Sequence, residues 1–303
     1  MERKDFSLTA LVPLWTRWML HWQGSRSDGS TARLVQALFG QSYGWLCAGA
    51  GPILLAMRLS DWLAIAPLEK PTLASMLSAR TFFFDKALTA ALASVEQVVI
   101  LGAGFDTRLF ELCKSRELGL FEVDRIETQT VKRQALEKSG IDVGEVNFVA
   151  VDFACKSWTQ VLVSNGFDPR KRTFFLWEGV TYYLSAAEIR QGFVLIDEVC
   201  GEGSVIAFDF FSEALVGGEG IVGIGRAALD FIGEPLRFGV NVSRGIEAGL
   251  SELMVGTGLA LDSVQVVDSW IGEKPMPGST DVLGGFAIAR KQNHRTVAES
   301  QSK

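Results

Sequence analysis

The feature that most constrains the fold of this chain is a regular alternation of short apolar strands and helices between residues 97 and 210. The first strand, at 97–101, is a β-branched apolar run of the kind that is buried in parallel sheets. The same pattern predicts further strands at 119–123, 146–151, 173–177 and 204–210, with helices at 107–116, 126–139, 157–164 and 186–200. Because parallel neighbours are joined by helical crossovers, this alternation predicts a parallel sheet with helices on both faces.

The regions on either side of this alternation have different patterns. Before residue 95 the sequence is helical, and apolar residues recur at three- and four-residue steps: Leu11, Leu14, Trp15, Trp18 and Trp22. Residues 212–258 are glycine-rich and then helical. Strand candidates at 261–267 and 283–289 flank a turn-rich connector, which favours an antiparallel pair.

These patterns together predict an α/β fold. We expect a seven-stranded, mostly parallel, doubly wound sheet with an N-terminal helical cap and a C-terminal antiparallel strand pair. The cap is predicted over residues 1–95 as a substrate lid, and the ligand-binding core over 96–292. Within the core, 212–258 is expected to form a helical insertion near the active site, and 293–303 a polar tail.

Composition excludes several classes of protein. The 303 residues are 48% hydrophobic and 21% charged, which is ordinary for a globular chain that can bury a core without disulfides. A net charge of −6 argues against nucleic acid as a partner. The longest apolar stretch, 46–57, is shorter than the roughly 20 residues of a membrane-spanning helix. The N-terminus lacks the pattern of a secretion signal, so we predict a cytoplasmic protein without membrane contact.

Cysteine and histidine usage limits the available chemistry. The four cysteines are far apart without a CxxC pair, so reduced thiols are expected rather than disulfides or zinc ligands. The chain has two histidines, His21 and His294, which leaves little from which to build a multi-histidine metal site or a histidine-based triad. We therefore expect no metal.

Ligands of open α/β sheets bind at the carboxyl ends of the strands, so the residues that follow each strand carry the functional signal. After the first strand comes Gly102-Ala103-Gly104, where glycine lets the backbone approach a ligand closely. The dinucleotide fingerprint requires a third glycine or an alanine at position 107, where this chain has Thr107. Asp106 also places a negative charge where a pyrophosphate would bind. Both features disfavour NAD and favour a ligand without phosphates.

Acidic residues follow the next strands. Asp124 is placed to accept hydrogen bonds from two ribose hydroxyls, and Asp152 with Phe153 is suited to an adenine ring. Glu178 follows the fourth strand, and Arg80 precedes the first as a candidate partner for a ligand carboxylate. This set fits S-adenosylmethionine, which has two free ribose hydroxyls, an adenine, no phosphate, and a sulfonium cation that acidic and aromatic walls tolerate.

The same residues resemble the leucine carboxyl methyltransferase family, whose members are class I S-adenosylmethionine-dependent O-methyltransferases with a Rossmann-like fold. The motifs occur in family order at 78–85, 98–108, 122–124, 151–153 and 177–184. Residues 8–17 resemble the start of the bacterial polyketide branch, the tetracenomycin-type enzymes of secondary metabolism. The chain departs from the family pattern at Ile126, where proline is common, and at Phe153, where leucine is frequent.

The resemblance implies roles for the candidate residues. Arg80 would hold the methionine carboxylate of S-adenosylmethionine, and Glu178 its amino end. Asp124 would bind the ribose, and Asp152 with Phe153 the adenine. The loop that lines the cofactor would be Gly102, Ala103 and Gly104.

The predicted activity is methyl transfer to a carboxylate or hydroxyl oxygen of a small molecule. An activated sulfonium needs mainly positioning, so no catalytic residue is assigned. A carboxylate acceptor is ionised at neutral pH, whereas a phenol benefits from a base, and the scarcity of histidine slightly favours the carboxylate. Tyr182 and His21 are candidate substrate contacts, although Tyr182 is equally suited to the core and His21 more suited to helix packing.

Two alternative functions stay open at this point. One is methylation of a protein C-terminal leucine carboxylate, and the other is a non-catalytic module that binds S-adenosylmethionine or a nucleoside. A nicotinamide dehydrogenase is disfavoured by Asp106 and Thr107. The sequence does not predict the identity of the acceptor or the oligomeric state.

Overall fold

The computed structural model describes residues 9–40, 73–114, 116–152, 158–217, 235–266, 282 and 284–292. These residues form a seven-stranded sheet with the strand order β3-β2-β1-β4-β5-β7-β6. The strands are β1 Gln97–Leu101, β2 Gly119–Asp124, β3 Val146–Ala150, β4 Thr173–Trp177, β5 Val205–Phe211, β6 Leu259–Val266 and β7 Gly284–Lys291.

The pairing of the strands confirms the predicted topology. The first five strands are parallel, and β7 runs antiparallel to both β5 and β6. The chain crosses from β3 to β4 over β2 and β1, so the strand order reverses beside β1. In open α/β sheets, ligands bind at the carboxyl ends of the strands at such a reversal.

The helices of the described residues alternate with the parallel strands as predicted. They are α1 Leu11–Trp22, α2 Gly29–Phe39, α3 Leu73–Ala91, α4 Arg108–Glu111, α5 Ile126–Ser139, α6 Trp158–Ser164, α7 Ala186–Val199, α8 Glu213–Val216 and α9 Ile246–Met254, with a 3-10 helix at Thr181–Tyr183. The third helix lies in the region before residue 95 that the sequence pattern predicted to be helical. The fourth is much shorter than the predicted 107–116: it ends at Glu111, and Lys114, Arg116 and Glu117 are exposed.

Successive residues of the central strands face opposite sides of the sheet. On one face Val99 and Leu101 join a core that includes Phe193 of α7. On the other face Val98 and Ile100 join a core that includes Phe84 of α3. This period of two, with apolar residues on both faces, is the packing of a doubly wound sheet whose strands are buried on both sides.

The N-terminal helices α1 and α2 pack over α5 at the β2–β3 side of the sheet. Trp18 of the predicted tryptophan stripe is buried in this cluster with Leu34, Leu136 and Phe105. Trp22, at the end of the same helix, is 49% exposed and stacks on the Trp18 ring at a centroid distance of 5.9 Å. The extents of the cap, core and insertion as separate units stay predictions.

Several predicted features lie outside the described residues. These are Phe153, the apolar stretch 46–57, most of the connector before β7, the tail 293–303, and two of the cysteines, Cys47 and Cys155. The other two, Cys113 and Cys200, are free buried thiols. Among the helices that the structure describes, none combines the length and the hydropathy of a membrane-spanning segment.

Candidate functional site

The loop after β1 is held in a conformation that requires glycine. Gly102 and Gly104 have φ values of +66° and +48°, in the left-handed region that side chains disfavour. A Cβ at Gly102 would overlap the Val180 side chain, so this loop lies directly against the segment that follows β4. The backbone N–H groups of Gly102 and Ala103 donate to the carbonyl of Val123, which ties the loop to the tip of β2.

Asp124 lies at the end of β2 beside this loop. Its Oδ2 accepts from the Gly104 N–H at 2.6 Å, and its Oδ1 accepts from the Arg125 N–H at 2.7 Å. Burial raises the pKa of the carboxyl, an effect that these two N–H groups partly offset. The side chain is half-buried, and this candidate ribose ligand lies at the carboxyl end of β2, next to the glycine loop that follows β1.

Arg80 of α3 and Glu178 at the tip of β4 meet inside the protein. The Arg80 Nε lies 3.0 Å from the Glu178 Oε1, and both side chains are buried. Arg80 Nη1 donates to the Tyr182 hydroxyl at 3.1 Å and to Asp209 Oδ2 at 3.2 Å. Three residues that the sequence analysis singled out separately are therefore adjacent, and Asp209 joins them as a residue that it did not identify.

Glu178 also contacts a second arginine. Arg108 Nη1 lies 2.5 Å from Glu178 Oε2 and 2.5 Å from Asp106 Oδ2, while its Nε lies 2.6 Å from Asp85 Oδ1. Arg108 and Asp85 were not among the predicted site residues, although they stand inside the motifs at 98–108 and 78–85.

A third arginine reaches the same group from the N-terminal helix. Arg17 Nη1 lies 3.4 Å from Asp106 Oδ2 and 4.0 Å from Glu178 Oε1, and Nη2 donates to the Phe105 carbonyl at 3.3 Å. Only 2% of Arg17 is exposed. Helix α1 therefore contributes a charged side chain to the strand tips. The apolar stripe of this helix did not predict that contact.

Asp106 is an ionised carboxylate that both Arg17 and Arg108 contact. Although burial alone would raise the pKa of its carboxyl, Arg108 and Arg17 hold that pKa well below its usual range. Its charge is therefore paired within the protein, and the expectation that Asp106 disfavours a pyrophosphate stays a prediction. Thr107 is buried as well, with its hydroxyl 2.6 Å from that of Thr31 on α2.

We call the linked ionic groups the arginine–carboxylate cluster. Among the described residues its members are the arginines Arg17, Arg26, Arg80 and Arg108 and the carboxylates Asp28, Asp85, Asp106, Glu178 and Asp209. Burial raises the pKa of Asp209 to about 6, so it is largely ionised at neutral pH. With five carboxylates against four guanidiniums, this part of the cluster carries one net negative charge, which a bound cation would neutralise.

The remaining candidate residues are His21, which contacts a member of this cluster, and Asp152 and Phe153, which are not members of it. His21 Nδ1 accepts from the Asp28 N–H at 3.0 Å, which ties it to the start of α2. Asp152 is exposed just after β3, and Phe153 is not described. Contacts of His21 with an acceptor, and of Asp152 and Phe153 with adenine, stay predictions. No group of three or more potential metal ligands occurs among the described residues.

Comparison with known proteins places this geometry in a family. The model of the leucine carboxyl methyltransferase family matches residues 53–196. A protein of Parafrankia sp. (strain EAN1pec), provisionally named as an S-adenosyl-L-methionine-dependent methyltransferase, is 31% identical over 301 residues that cover 89% of each chain. A similarly named protein of Mycolicibacterium paratuberculosis is 36% identical over 133 residues, which cover 43% of this chain and 44% of that relative, less than half of either.

A solved structure supports the fold. The crystal structure of a DUF574 family protein from Streptomyces avermitilis matches with a TM-score of 0.53 and 16% identity, covering 92% of this chain and 97% of that one. The sheet order, the glycine loop and the acids at the strand tips define a Rossmann-like class I methyltransferase. The chain belongs to the S-adenosylmethionine-dependent methyltransferases, its residues 53–196 are similar to the leucine carboxyl methyltransferase family, and the predicted cofactor, S-adenosylmethionine, is confirmed at the level of these relatives.

Proposed function

We propose that this protein is an O-methyltransferase that transfers the methyl group of S-adenosylmethionine to a carboxylate or hydroxyl of a small molecule. The observation that carries the proposal is the arginine–carboxylate cluster beneath the glycine loop, with its excess of one carboxylate among the described residues. We further propose that the acceptor is a polyketide-type compound of secondary metabolism and that the protein acts in the cytoplasm.

The residues around the loop fit the parts of the cofactor. Gly102 and Gly104 put no side chain over the crevice, and Asp124 uses one acceptor site on each of its two oxygens. Since a carboxylate has about four lone-pair sites, Asp124 keeps capacity for two ribose hydroxyls. Arg80 and Glu178 form a neighbouring cation and anion, the complement of the zwitterionic amino-acid end of S-adenosylmethionine.

The bound cofactor supplies a methyl group already activated on a sulfonium. The chain has to bind, orient and dehydrate the reactants, because an attack of an anion on a cation disperses charge and is favoured where water is excluded. Burial raises the pKa of Tyr182 well above 10, so its hydroxyl keeps its proton and does not serve as a base at neutral pH. An acceptor that is already ionised, such as a carboxylate with a pKa of about 4, therefore fits these residues better than a phenol.

A second candidate is methylation of a protein C-terminal leucine carboxylate. The family whose model matches residues 53–196 carries that name, and a carboxylate acceptor satisfies the same chemistry. The two candidates differ in the size of the acceptor rather than in the reaction. A non-catalytic module would bind the cofactor without turnover.

Titration calorimetry and a transfer assay test these proposals in turn. We expect S-adenosylmethionine and S-adenosylhomocysteine to bind and NAD to give no heat. With methyl-labelled cofactor, a panel of small aromatic and aliphatic acids and phenols is compared with a peptide that ends in a free leucine carboxylate. Base-labile label on a small acid supports the proposal. Label on the peptide alone supports the second candidate, and binding without transfer to any acceptor supports a non-catalytic module.

A further inference from the structure

Asp209 is a buried carboxylate on β5 that connects the parts of the candidate cofactor site. It is 2% exposed and lies on the strand next to β4. Its Oδ1 accepts from the Gly179 N–H at 2.9 Å, and its Oδ2 accepts from Arg80 Nη1 at 3.2 Å. Its backbone carbonyl accepts from the Thr181 hydroxyl at 2.6 Å.

These three contacts fix the turn that carries Glu178. Gly179 follows Glu178 directly and has a φ of +75°, so the chain turns sharply at the residue whose N–H Asp209 binds. Thr181 begins the 3-10 helix, and the next residue, Tyr182, stacks on the Phe211 ring at a centroid distance of 4.0 Å. Asp209 thus holds both the backbone that follows Glu178, through Gly179 and Thr181, and the guanidinium of Arg80.

We propose that Asp209 is a positioning residue for cofactor binding, which holds Arg80 and Glu178 in the arrangement that receives the amino-acid end of S-adenosylmethionine. The inference rests on the proposed cofactor roles of Arg80 and Glu178. Asp209 acts through its contacts with Arg80 and Gly179, and we assign it no contact with the cofactor.

The surroundings of Asp209 make this role depend on pH. The charged or titratable groups that face it are Arg80 from α3, Glu178 after β4 and Tyr182 from the 3-10 helix, while its neighbour in β7 is the apolar Phe286. Burial, only partly offset by Arg80, raises the pKa of Asp209 to about 6. Because protonation removes the charge that holds Arg80, we expect cofactor affinity to fall as the pH falls through about 6.

The variant Asp209→Asn separates charge from shape, since the amide oxygen still accepts from Gly179 while the attraction for Arg80 is lost. We expect it to bind S-adenosylhomocysteine at least about tenfold more weakly than the wild type at about pH 7 by calorimetry. Its affinity should also change less between about pH 5 and about pH 7. Asp262→Asn is the matched control, because Asp262 is an exposed acid of β6 paired with Arg290.

The outcomes separate the inference from the proposed function. A wild type that binds neither S-adenosylmethionine nor S-adenosylhomocysteine overturns the proposed function. A wild type that binds, with Asp209→Asn matching it in affinity and pH dependence, overturns the inference alone. If Asp209→Asn does not fold, as judged by circular dichroism, Arg80→Gln provides the test. Removal of the guanidinium should abolish the loss of affinity toward pH 5, and an unchanged loss would overturn the inference.

Discussion

Arg17 Nη1, on the first helix, lies 3.4 Å from the Oδ2 atom of Asp106, which stands 89 residues later beneath the glycine loop. This ion pair is almost fully buried, and it joins the N-terminal helices to the strand tips. The start of the same helix approaches the loop closely, since a Cβ at Gly104 would lie 3.1 Å from that of Ala10. Helix α1 and the glycine loop are therefore packed against each other at this point.

Arg17→Ala should destabilise the fold, because it leaves Asp106 and Glu178 with one fewer buried cation. Removal of one partner of a buried pair typically costs 3–5 kcal/mol, and Arg108 retains part of the compensation here, so we expect about 3 kcal/mol. Urea denaturation measures the change. Arg33→Ala, at an exposed position of α2, is the control and should change the free energy of unfolding by less than about 0.5 kcal/mol. Equal stabilities of the two variants would contradict this role of Arg17.

Arg80→Ala and Asp124→Ala should each weaken the binding of S-adenosylmethionine. Hydrogen bonds to charged groups contribute about 1.5–3 kcal/mol, so the dissociation constant should rise by roughly tenfold to 150-fold. Calorimetry on the two variants gives the values. Arg170→Ala is a suitable control, because that side chain is exposed and paired only with the neighbouring Asp168 among the described residues. Normal affinity in both test variants would show that the assigned site is wrong.

The sequence predicted the parts of the site that follow from strand position. Asp124 and Glu178 were identified because residues after parallel strands share one edge of the sheet, and both lie there. Asp209 was missed, although a single acid inside the apolar strand Val205–Phe211 is a signal that could have been used. A buried charge within a strand requires a partner of opposite charge or a hydrogen-bond donor. The position of Asp209 therefore predicts that such a partner exists, although it does not identify Arg80.

The partners themselves could not be predicted from the sequence. Arg17 lies on a helix with an apolar stripe, where a lone arginine has the pattern of a solvated residue. Asp106 was considered without its two partners, Arg108 two residues later and Arg17 89 residues earlier. Ion pairs between distant segments depend on how the helices pack, and that packing cannot be predicted from the pattern of a single sequence.

Gly102→Ala should be more costly than the same change at Gly140. Both glycines have a positive φ, +66° and +64°, but a Cβ at Gly140 meets no atom within 4 Å, whereas at Gly102 it would overlap Val180. The stability loss of Gly140→Ala therefore measures the cost of the backbone conformation, about 1 kcal/mol. The further loss in Gly102→Ala measures the cost of the overlap with Val180. Thermal denaturation should show a larger loss for Gly102→Ala, and adding Val180→Ala should recover part of it. A loss no greater than that of Gly140→Ala would exclude the close approach of the loop to Val180.

Glu122 on β2 should make the protein less stable as the pH rises through its titration. It pairs with Lys132 of α5 at 2.6 Å, and both side chains are buried. Burial, only partly offset by Lys132, raises the pKa of Glu122 from 4.5 to about 7. Between these values the folded protein keeps a proton that the unfolded chain has released, so the free energy of unfolding falls as the pH increases.

The variant Glu122→Gln tests this contribution, because glutamine does not titrate. The free energy of unfolding of Glu122→Gln minus that of the wild type should rise by on the order of 2–3 kcal/mol between about pH 4.5 and about pH 7. Loss of the charge opposite Lys132 adds a cost that is the same at every pH and does not alter this rise. Urea denaturation at several pH values measures this difference, and Glu145→Gln, at an exposed position before β3, should follow the wild type at every pH. Parallel pH profiles for Glu122→Gln and the wild type would mean that Glu122 titrates near its ordinary pKa, and that Lys132 compensates its burial in full.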